Sequence, residues 1–285
     1  MFTTLITCTE LQALQQSAAP LLIVDCTADL MNPAAGLRQF LDAHIPGATH
    51  ADLDHDLSAH GVADAASGGR HPLPRREVFA HWLRQIGLRT DTQVVVCDRN
   101  GLNFCGRLWW MLKWAGHEAV AVLDGGLPAW VAAGGAVESG PATARTASDW
   151  TLQPPLRELV TAADVLAHLD QPDQTLIDAR AAPRYRGEVE PLDPVAGHIP
   201  GALNRPFGLN LDEQGRFKPA DTLRAEFEAL LAGRDPASVV HQCGSGVSAL
   251  PNLLAMEVAG FAPTRLFAGS WSEWCRDPSR PVAKG

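Results

Sequence analysis

Val239-Val240-His241-Gln242-Cys243-Gly244-Ser245-Gly246-Val247-Ser248-Ala249 is the stretch on which the reading of this chain turns. Two β-branched residues run into a short loop that opens with cysteine, and a helical pattern from Leu250 to Ala259 follows directly. That is a strand, a tight loop and a helix N-terminus. Gly244 and Gly246 are expected to adopt φ > 0, turning consecutive backbone N–H groups inward, while the helix adds its first-turn donors and positive dipole end. Such a cavity favours an anion, and the nearest one is the thiolate of Cys243, whose pKa this setting is expected to lower from about 8.5. A lone cysteine ending a core strand is usually packing. Cys243 instead starts a Gly-rich loop, which argues for a nucleophilic sulfur.

Outward from that stretch, the chain repeats itself. Leu22-Ile23-Val24-Asp25 followed by His44-Ile45-Pro46-Gly47-Ala48 is echoed by Leu176-Ile177-Asp178 and His198-Ile199-Pro200-Gly201-Ala202. Val94-Val95-Val96 and Gly125-Gly126-Leu127-Pro128-Ala129-Trp130 find counterparts in Val239-Val240 and Gly269-Ser270-Trp271-Ser272-Glu273-Trp274. This is a tandem duplication. Each half alternates β-branched runs with helical patterns, which predicts an α/β fold with a mainly parallel sheet flanked by helices. Strands are expected near 21–25, 94–97, 119–123, 175–178, 237–242 and 264–267. Helices are expected near 9–17, 75–86, 103–115, 127–133, 161–169, 221–232 and 248–259. The Gly, Pro, Ser, Thr and Ala content of 139–155 marks a linker, giving domains at 1–138 and 156–285.

A length of 285 residues suits two domains, and a content of 46% hydrophobic against 19% charged residues lets both bury cores. A net charge of -9 argues against nucleic acid or an anionic membrane as partner, so an anionic substrate must be drawn in by local groups. The six cysteines form no CxxC pair and no metal-ligand spacing, and read as reduced thiols of a cytoplasmic protein. No run approaches the ~20 apolar residues of a membrane span.

The two His-Ile-Pro-Gly-Ala motifs, Asp25 and Asp178 at strand ends, the Cys243–Ala249 loop and Trp271-Ser272-Glu273-Trp274 together resemble the two-domain rhodanese-type sulfurtransferases over nearly the whole chain. The resemblance implies tandem rhodanese-like domains, of which only the second is catalytic. In the first, Cys97-Asp98-Arg99-Asn100-Gly101 matches the loop, with Asp98 or Arg99 where Cys243 would fall. A phosphatase loop opening with cysteine needs an arginine six positions on to clamp phosphate; Ala249 stands there.

Within the family, thiosulfate-preferring members carry Arg-Lys after the cysteine. Gly244-Ser245 instead resembles the branch that uses 3-mercaptopyruvate, with Ser248 keeping the hydroxyl of that branch's threonine. The resemblance makes Arg184 the substrate-binding arginine, with Arg186 a second candidate, and the amides of Gly244, Gly246, Val247 and Ser248 the seat of the transferred sulfur. Arg180, so close to Asp178, is expected to be structural. In Glu190-Pro191-Leu192-Asp193, Leu192 stands where the branch often has another arginine, which leaves thiosulfate open as donor. The same resemblance implies that Ser245, His71 and Asp54 form a Ser–His–Asp proton relay; by themselves His71 and Asp54 read as a polar turn residue and a solvated loop charge. His44 and His198 are expected to bond backbone rather than metal, and Trp271 and Trp274 to pack in a core.

The expectation is a transferase that moves sulfane sulfur from 3-mercaptopyruvate through a Cys243 persulfide to a small thiol, cyanide or a thioredoxin-like protein, releasing pyruvate, with no cofactor. The alternatives are a thiosulfate sulfurtransferase and a persulfide relay module loaded by a partner protein.

Overall fold

The computed structural model describes residues 1–285, which form two compact units. The first comprises 1–61, 74–156 and 211–217; the second comprises 62–73, 157–210 and 218–285. Two exchanged segments make these units differ from a simple cut in sequence, and residues 62–73 belong with the second.

The first unit is built on a fully parallel sheet in the order β1-β5-β4-β2-β3, from β1 (Leu5–Ile6), β2 (Leu21–Asp25), β3 (Thr49–His50), β4 (Gln93–Cys97) and β5 (Val120–Leu123). Its helices are α1 (Cys8–Gln15), α2 (Ala34–Asp42), α3 (Arg76–Gln85), α4 (Cys105–Trp114) and α5 (Gly126–Ala132). The second unit repeats the plan as a parallel sheet β7-β6-β8-β9, from β6 (Thr175–Asp178), β7 (Leu203–Asn204), β8 (Val239–Gln242) and β9 (Arg265–Leu266). Its helices are α6 (Ala162–Ala167), α7 (Ala182–Tyr185), α8 (Ala220–Leu231), α9 (Leu250–Val258) and α10 (Ser270–Trp274). A parallel bridge from Leu159 to Leu266 stands where β1 pairs β5 in the first unit.

Strand β8 is buried throughout, as expected for a central parallel strand with both faces covered. The second core packs Val160, Val165, Leu176, Val240, Phe267, Trp271 and Trp274 around it, so both tryptophans of α10 are core residues. The first core packs Ile6, Leu11, Ile23, Phe40, Val95 and Trp130. His44 Nδ1 bonds the carbonyl of Phe40 at 2.7 Å, and His198 Nδ1 that of Tyr185 at 2.8 Å, each ring stacked on the residue it bonds. Both histidines thus serve backbone, as expected.

Residues 139–155 lie outside helices and strands, and Trp150 within them is buried. The amide of Gln153 donates to the carbonyl of Ala115 at 3.1 Å, so this segment is hydrogen-bonded into the first unit. The sequence reading missed α2 because Pro33 and Gly36 look like breakers. Pro33 precedes the first turn, where no N–H is lost, and a side chain at Gly36 would strike the carbonyl of Thr27, so glycine there allows close helix–strand packing.

His241 on β8 is fully buried, neither ring nitrogen finds a hydrogen-bond partner, and desolvation lowers its pKa to about 3. Its folded pKa lies below the ordinary 6.5, so the unfolded chain binds the proton first as pH falls, and stability present above pH 6.5 is lost toward pH 3. Wild type is expected to lose on the order of 2 kcal/mol more than His241→Leu between pH 7.5 and 5. Urea midpoints of both proteins at the two pH values check this; parallel losses would refute it.

Candidate active site

Strand β8 delivers Cys243 to the mouth of its loop, where the residue is only 2% exposed. Both of its backbone groups are held. The Cys243 amide donates to Ser270 Oγ at 3.1 Å, and its carbonyl accepts from Trp271 N at 3.0 Å. Ser270 sits at φ 55°, a strained value for a residue with a side chain, and its hydroxyl also donates to the carbonyl of Phe267 at 3.0 Å. Helix α9 begins at Leu250, two residues later than expected, so Ser248 and Ala249 belong to the loop and its turn.

The two loop glycines serve different ends. Gly246 has φ 74°, as expected, and a Cβ there would also collide with the carbonyl of Ala268. Gly244 does not adopt positive φ, which corrects the expectation. Space explains it: a Cβ at Gly244 would stand 3.2 Å from Arg70 Nη2 and 3.4 Å from Arg184 Nη1. Two guanidinium groups therefore lie over the residue that follows the cysteine.

Arg184, on α7, is held by Glu190 through Nε at 3.2 Å and Nη2 at 2.6 Å, and by Asp193 at 3.3 Å. Arg70 Nη1 pairs with the same Asp193. Behind them Arg180, 2% exposed, bonds Asp178 through Nε and Nη2, reaches Glu190 at 3.4 Å and covers the ring of Trp271 at 4.8 Å. Arg180 is thus structural, as expected. Burial alone would raise Glu190, but the Arg184 hydrogen bonds and the amides of Leu192 and Asp193 hold its carboxyl below the usual range. For Asp193 burial prevails over Arg70 and Arg184, and its carboxyl is pushed up.

Ser245 Oγ and His71 Nδ1 share a 2.7 Å hydrogen bond, and both residues are buried. The pair arises because α10 pins the segment before His71. Ser272 Oγ accepts from Arg70 N at 2.9 Å and Glu273 accepts from Gly68 N at 3.2 Å, while Ser272 N donates to the carbonyl of Gly244 at 2.9 Å. One short helix thereby fixes the cysteine loop and the segment bearing Arg70 and His71.

The remaining expected residues fall as follows. Val247 is buried and Ser248 half-buried in the loop. Arg186 is not part of the arginine cluster: its exposed guanidinium forks onto Glu188 at 2.7 and 3.0 Å. Asp54 belongs to the first unit, where its carboxylate accepts from His60 Nε2 at 2.9 Å. Among the arginines, the sequence reading considered Arg180, Arg184 and Arg186 and missed the guanidinium of Arg70. Its position between Gly69 and His71 was the available signal.

The first unit's loop answers differently. Asp25 pairs with Cys97 in register where Asp178 pairs with Gln242, so Asp98 stands in the place of Cys243. Its carboxylate accepts the amides of Asn100, Leu102, Phe104 and Cys105 at 2.8 to 3.0 Å. The anion that this loop surrounds is its own side chain.

The model of the rhodanese-like domain matches residues 7–133 and again 161–277. The chain belongs to the rhodanese family. It is 50% identical to a Pseudomonas aeruginosa protein named probable 3-mercaptopyruvate sulfurtransferase, over 96% of this chain and 95% of that one. It is 41% identical, over 99% and 97% of the two chains, to a Mycobacterium tuberculosis protein, SseB, whose name carries thiosulfate sulfurtransferase. The crystal structure of the 3-mercaptopyruvate sulfurtransferase SseA from Escherichia coli superposes with a TM-score of 0.79 at 31% identity, covering 95% of this chain and 100% of that one. Tandem rhodanese domains, read from the duplicated motifs, are therefore the architecture. No helix is long and apolar enough to cross a membrane.

Proposed function

We propose that this rhodanese is a sulfurtransferase that takes sulfane sulfur from 3-mercaptopyruvate, carries it as a persulfide on Cys243 and passes it to a thiol or to cyanide. The Cys243 thiolate attacks the donor's sulfur. The S–S bond forms as the carbon–sulfur bond breaks, and the electron pair leaves with the CH2 carbon as the enolate of pyruvate. The proton of the donor's thiol must then reach that carbon, and Ser245 with His71 is the group that moves it. Arg184 holds the donor's carboxylate. The amides of Gly244 to Ser248 stabilise the anionic persulfide. An acceptor thiolate attacks the outer sulfur, and Cys243 leaves as the thiolate.

The 2.7 Å Ser245–His71 hydrogen bond carries the choice of donor. Thiosulfate brings no proton to move and leaves as sulfite, so a buried hydroxyl–imidazole pair beside the nucleophile has work only with a thiol-bearing donor. The first domain is read as catalytically silent, because Asp98 presents no nucleophilic sulfur and its carboxylate already takes the loop amides. A cytoplasmic setting belongs to the same proposal, supported by six free thiols. The acceptors proposed are small thiols and thioredoxin-like proteins.

The test sets pyruvate release from 3-mercaptopyruvate with a thiol acceptor against thiocyanate formation from thiosulfate and cyanide. Mercaptopyruvate is expected to be the better donor. Ser245→Ala is expected to slow it by about a hundredfold or more and to leave the thiosulfate rate within a few-fold. A preference for thiosulfate, or equal losses with both donors, would overturn this reading.

A further inference from the structure

We propose that Ser270 is a positioning residue for the nucleophile: its hydroxyl fixes the peptide group on the N-terminal side of Cys243, and the chain accepts a conformation that favours glycine in order to bring that hydroxyl there. This role rests on the Cys243 nucleophile of the proposed function, whichever donor the site accepts.

The duplication supplies the comparison. In each unit the loop after the central strand is tied to a later helix by one backbone bond, from Leu127 N to the carbonyl of Asp98 at 3.0 Å in the first and from Trp271 N to the carbonyl of Cys243 at 3.0 Å in the second. The residue before each donor is left-handed, Gly126 at φ 60° and Ser270 at φ 55°. The turn is common to the two units, and the side chain is what differs. Glycine is required twice at 126, by φ and because a Cβ would stand 2.2 Å from the carbonyl of Asp98. The second unit leaves room for a side chain at the same place and puts one there, at a φ that is unfavourable to any residue with a Cβ. Glycine would make the turn without that strain.

What serine adds is one hydroxyl, fully buried and fully engaged. Its proton goes to the carbonyl of Phe267 at 3.0 Å, so toward Cys243 the oxygen can only accept, and it takes the Cys243 amide at 3.1 Å. Phe267 N in turn donates to the carbonyl of His241 at 3.0 Å, which closes a ring from β8 through the turn after β9 and back to the cysteine. With Trp271 N on the Cys243 carbonyl, the peptide groups on both sides of the cysteine are held, and the sulfur keeps only its rotation about the Cα–Cβ bond. A nucleophile held this way meets its target and the loop amides in one geometry, which is where much of a rate enhancement arises. The unit with no sulfur at this place keeps glycine.

Two substitutions separate the hydroxyl from the turn. Ser270→Gly removes the hydroxyl and relieves the backbone, as at Gly126; Ser270→Ala removes the hydroxyl and keeps the unfavourable φ. Ser270→Gly is therefore expected to melt about 3 °C or more above Ser270→Ala. Activity is expected to fall alike in both, with kcat lowered about tenfold to thirtyfold and KM within about twofold, since Arg184 is untouched. Two readouts need no donor. Alkylation of Cys243 by iodoacetamide, followed by peptide mass, is expected to slow about fivefold in both variants. In amide hydrogen exchange the Cys243 N–H is expected to exchange about a hundredfold faster in both, and the Trp271 N–H to change by less than about threefold. Activity that follows stability, lost in Ser270→Ala and retained in Ser270→Gly, would make Ser270 a structural residue and overturn the proposal, as would unchanged kcat and alkylation in both. If wild type transfers sulfur from neither 3-mercaptopyruvate nor thiosulfate, the functional reading fails, and alkylation with exchange still decides whether Ser270 positions Cys243.

Discussion

Cys243→Ser is expected to abolish sulfur transfer, by on the order of 10⁴-fold or more, while leaving the fold intact. The backbone bonds from Cys243 N to Ser270 and from its carbonyl to Trp271 N do not involve the sulfur, so a smaller oxygen in the same rotamer leaves loop and helix anchored. What changes is the chemistry. A thiolate attacks sulfur readily, whereas a serine hydroxyl is far less acidic than a thiol and forms no persulfide. Intact mass before and after donor addition checks this directly: wild type gains one sulfur atom and Cys243→Ser gains none, at an unchanged thermal midpoint. A variant that still gained the sulfur would assign it to another of the six cysteines. Cys26, Cys97 and Cys105 are poor candidates, because burial pushes all three thiols well above the usual range.

Asp98→Ala is expected to destabilise the first domain by roughly 4 kcal/mol or more, although Asp98 lies in the domain read as silent. Four amides end on its carboxylate at 2.8 to 3.0 Å, and Asp98 is fully buried. Removing the acceptor leaves buried donors unmatched at about 1–3 kcal/mol each, with some recovery as the loop relaxes and admits water. Its carbonyl also accepts from Leu127 N at 3.0 Å, which ties the loop to α5. The urea midpoint is expected to fall sharply in Asp98→Ala and less in Asp98→Asn, whose amide oxygen still accepts. Equal, small shifts in both would mean that the cradle amides do not depend on the carboxylate. The same observation bears on catalysis: the loop in which one domain presents a sulfur is, in the other, filled by its own carboxylate.

The duplication, the parallel α/β class and the strand-to-helix loop that carries Cys243 were legible in the sequence because each is local. Val239-Val240 running into Cys243 and two glycines states strand, turn and cradle within eleven residues, and the repeated His-Ile-Pro-Gly-Ala motifs state the tandem plan. Helix α2 was not legible, since Pro33 and Gly36 mean breakage unless one sees that Gly36 packs on Thr27. Nor was the reason for Gly244, whose lack of a side chain serves two guanidiniums and not its own backbone. The partnerships of the site are long-range: His71 meets Ser245 across 174 positions, and Arg70 meets Asp193 across 123. No periodicity or spacing encodes such pairs. They come about when α10 draws the 68–70 segment and the cysteine loop onto one helix, and that is a property of packing. Local sequence thus determined which fold this is and which loop carries Cys243, while packing of the folded chain decided that the Arg70 guanidinium stands beside that loop and brought His71 within hydrogen-bond distance of Ser245.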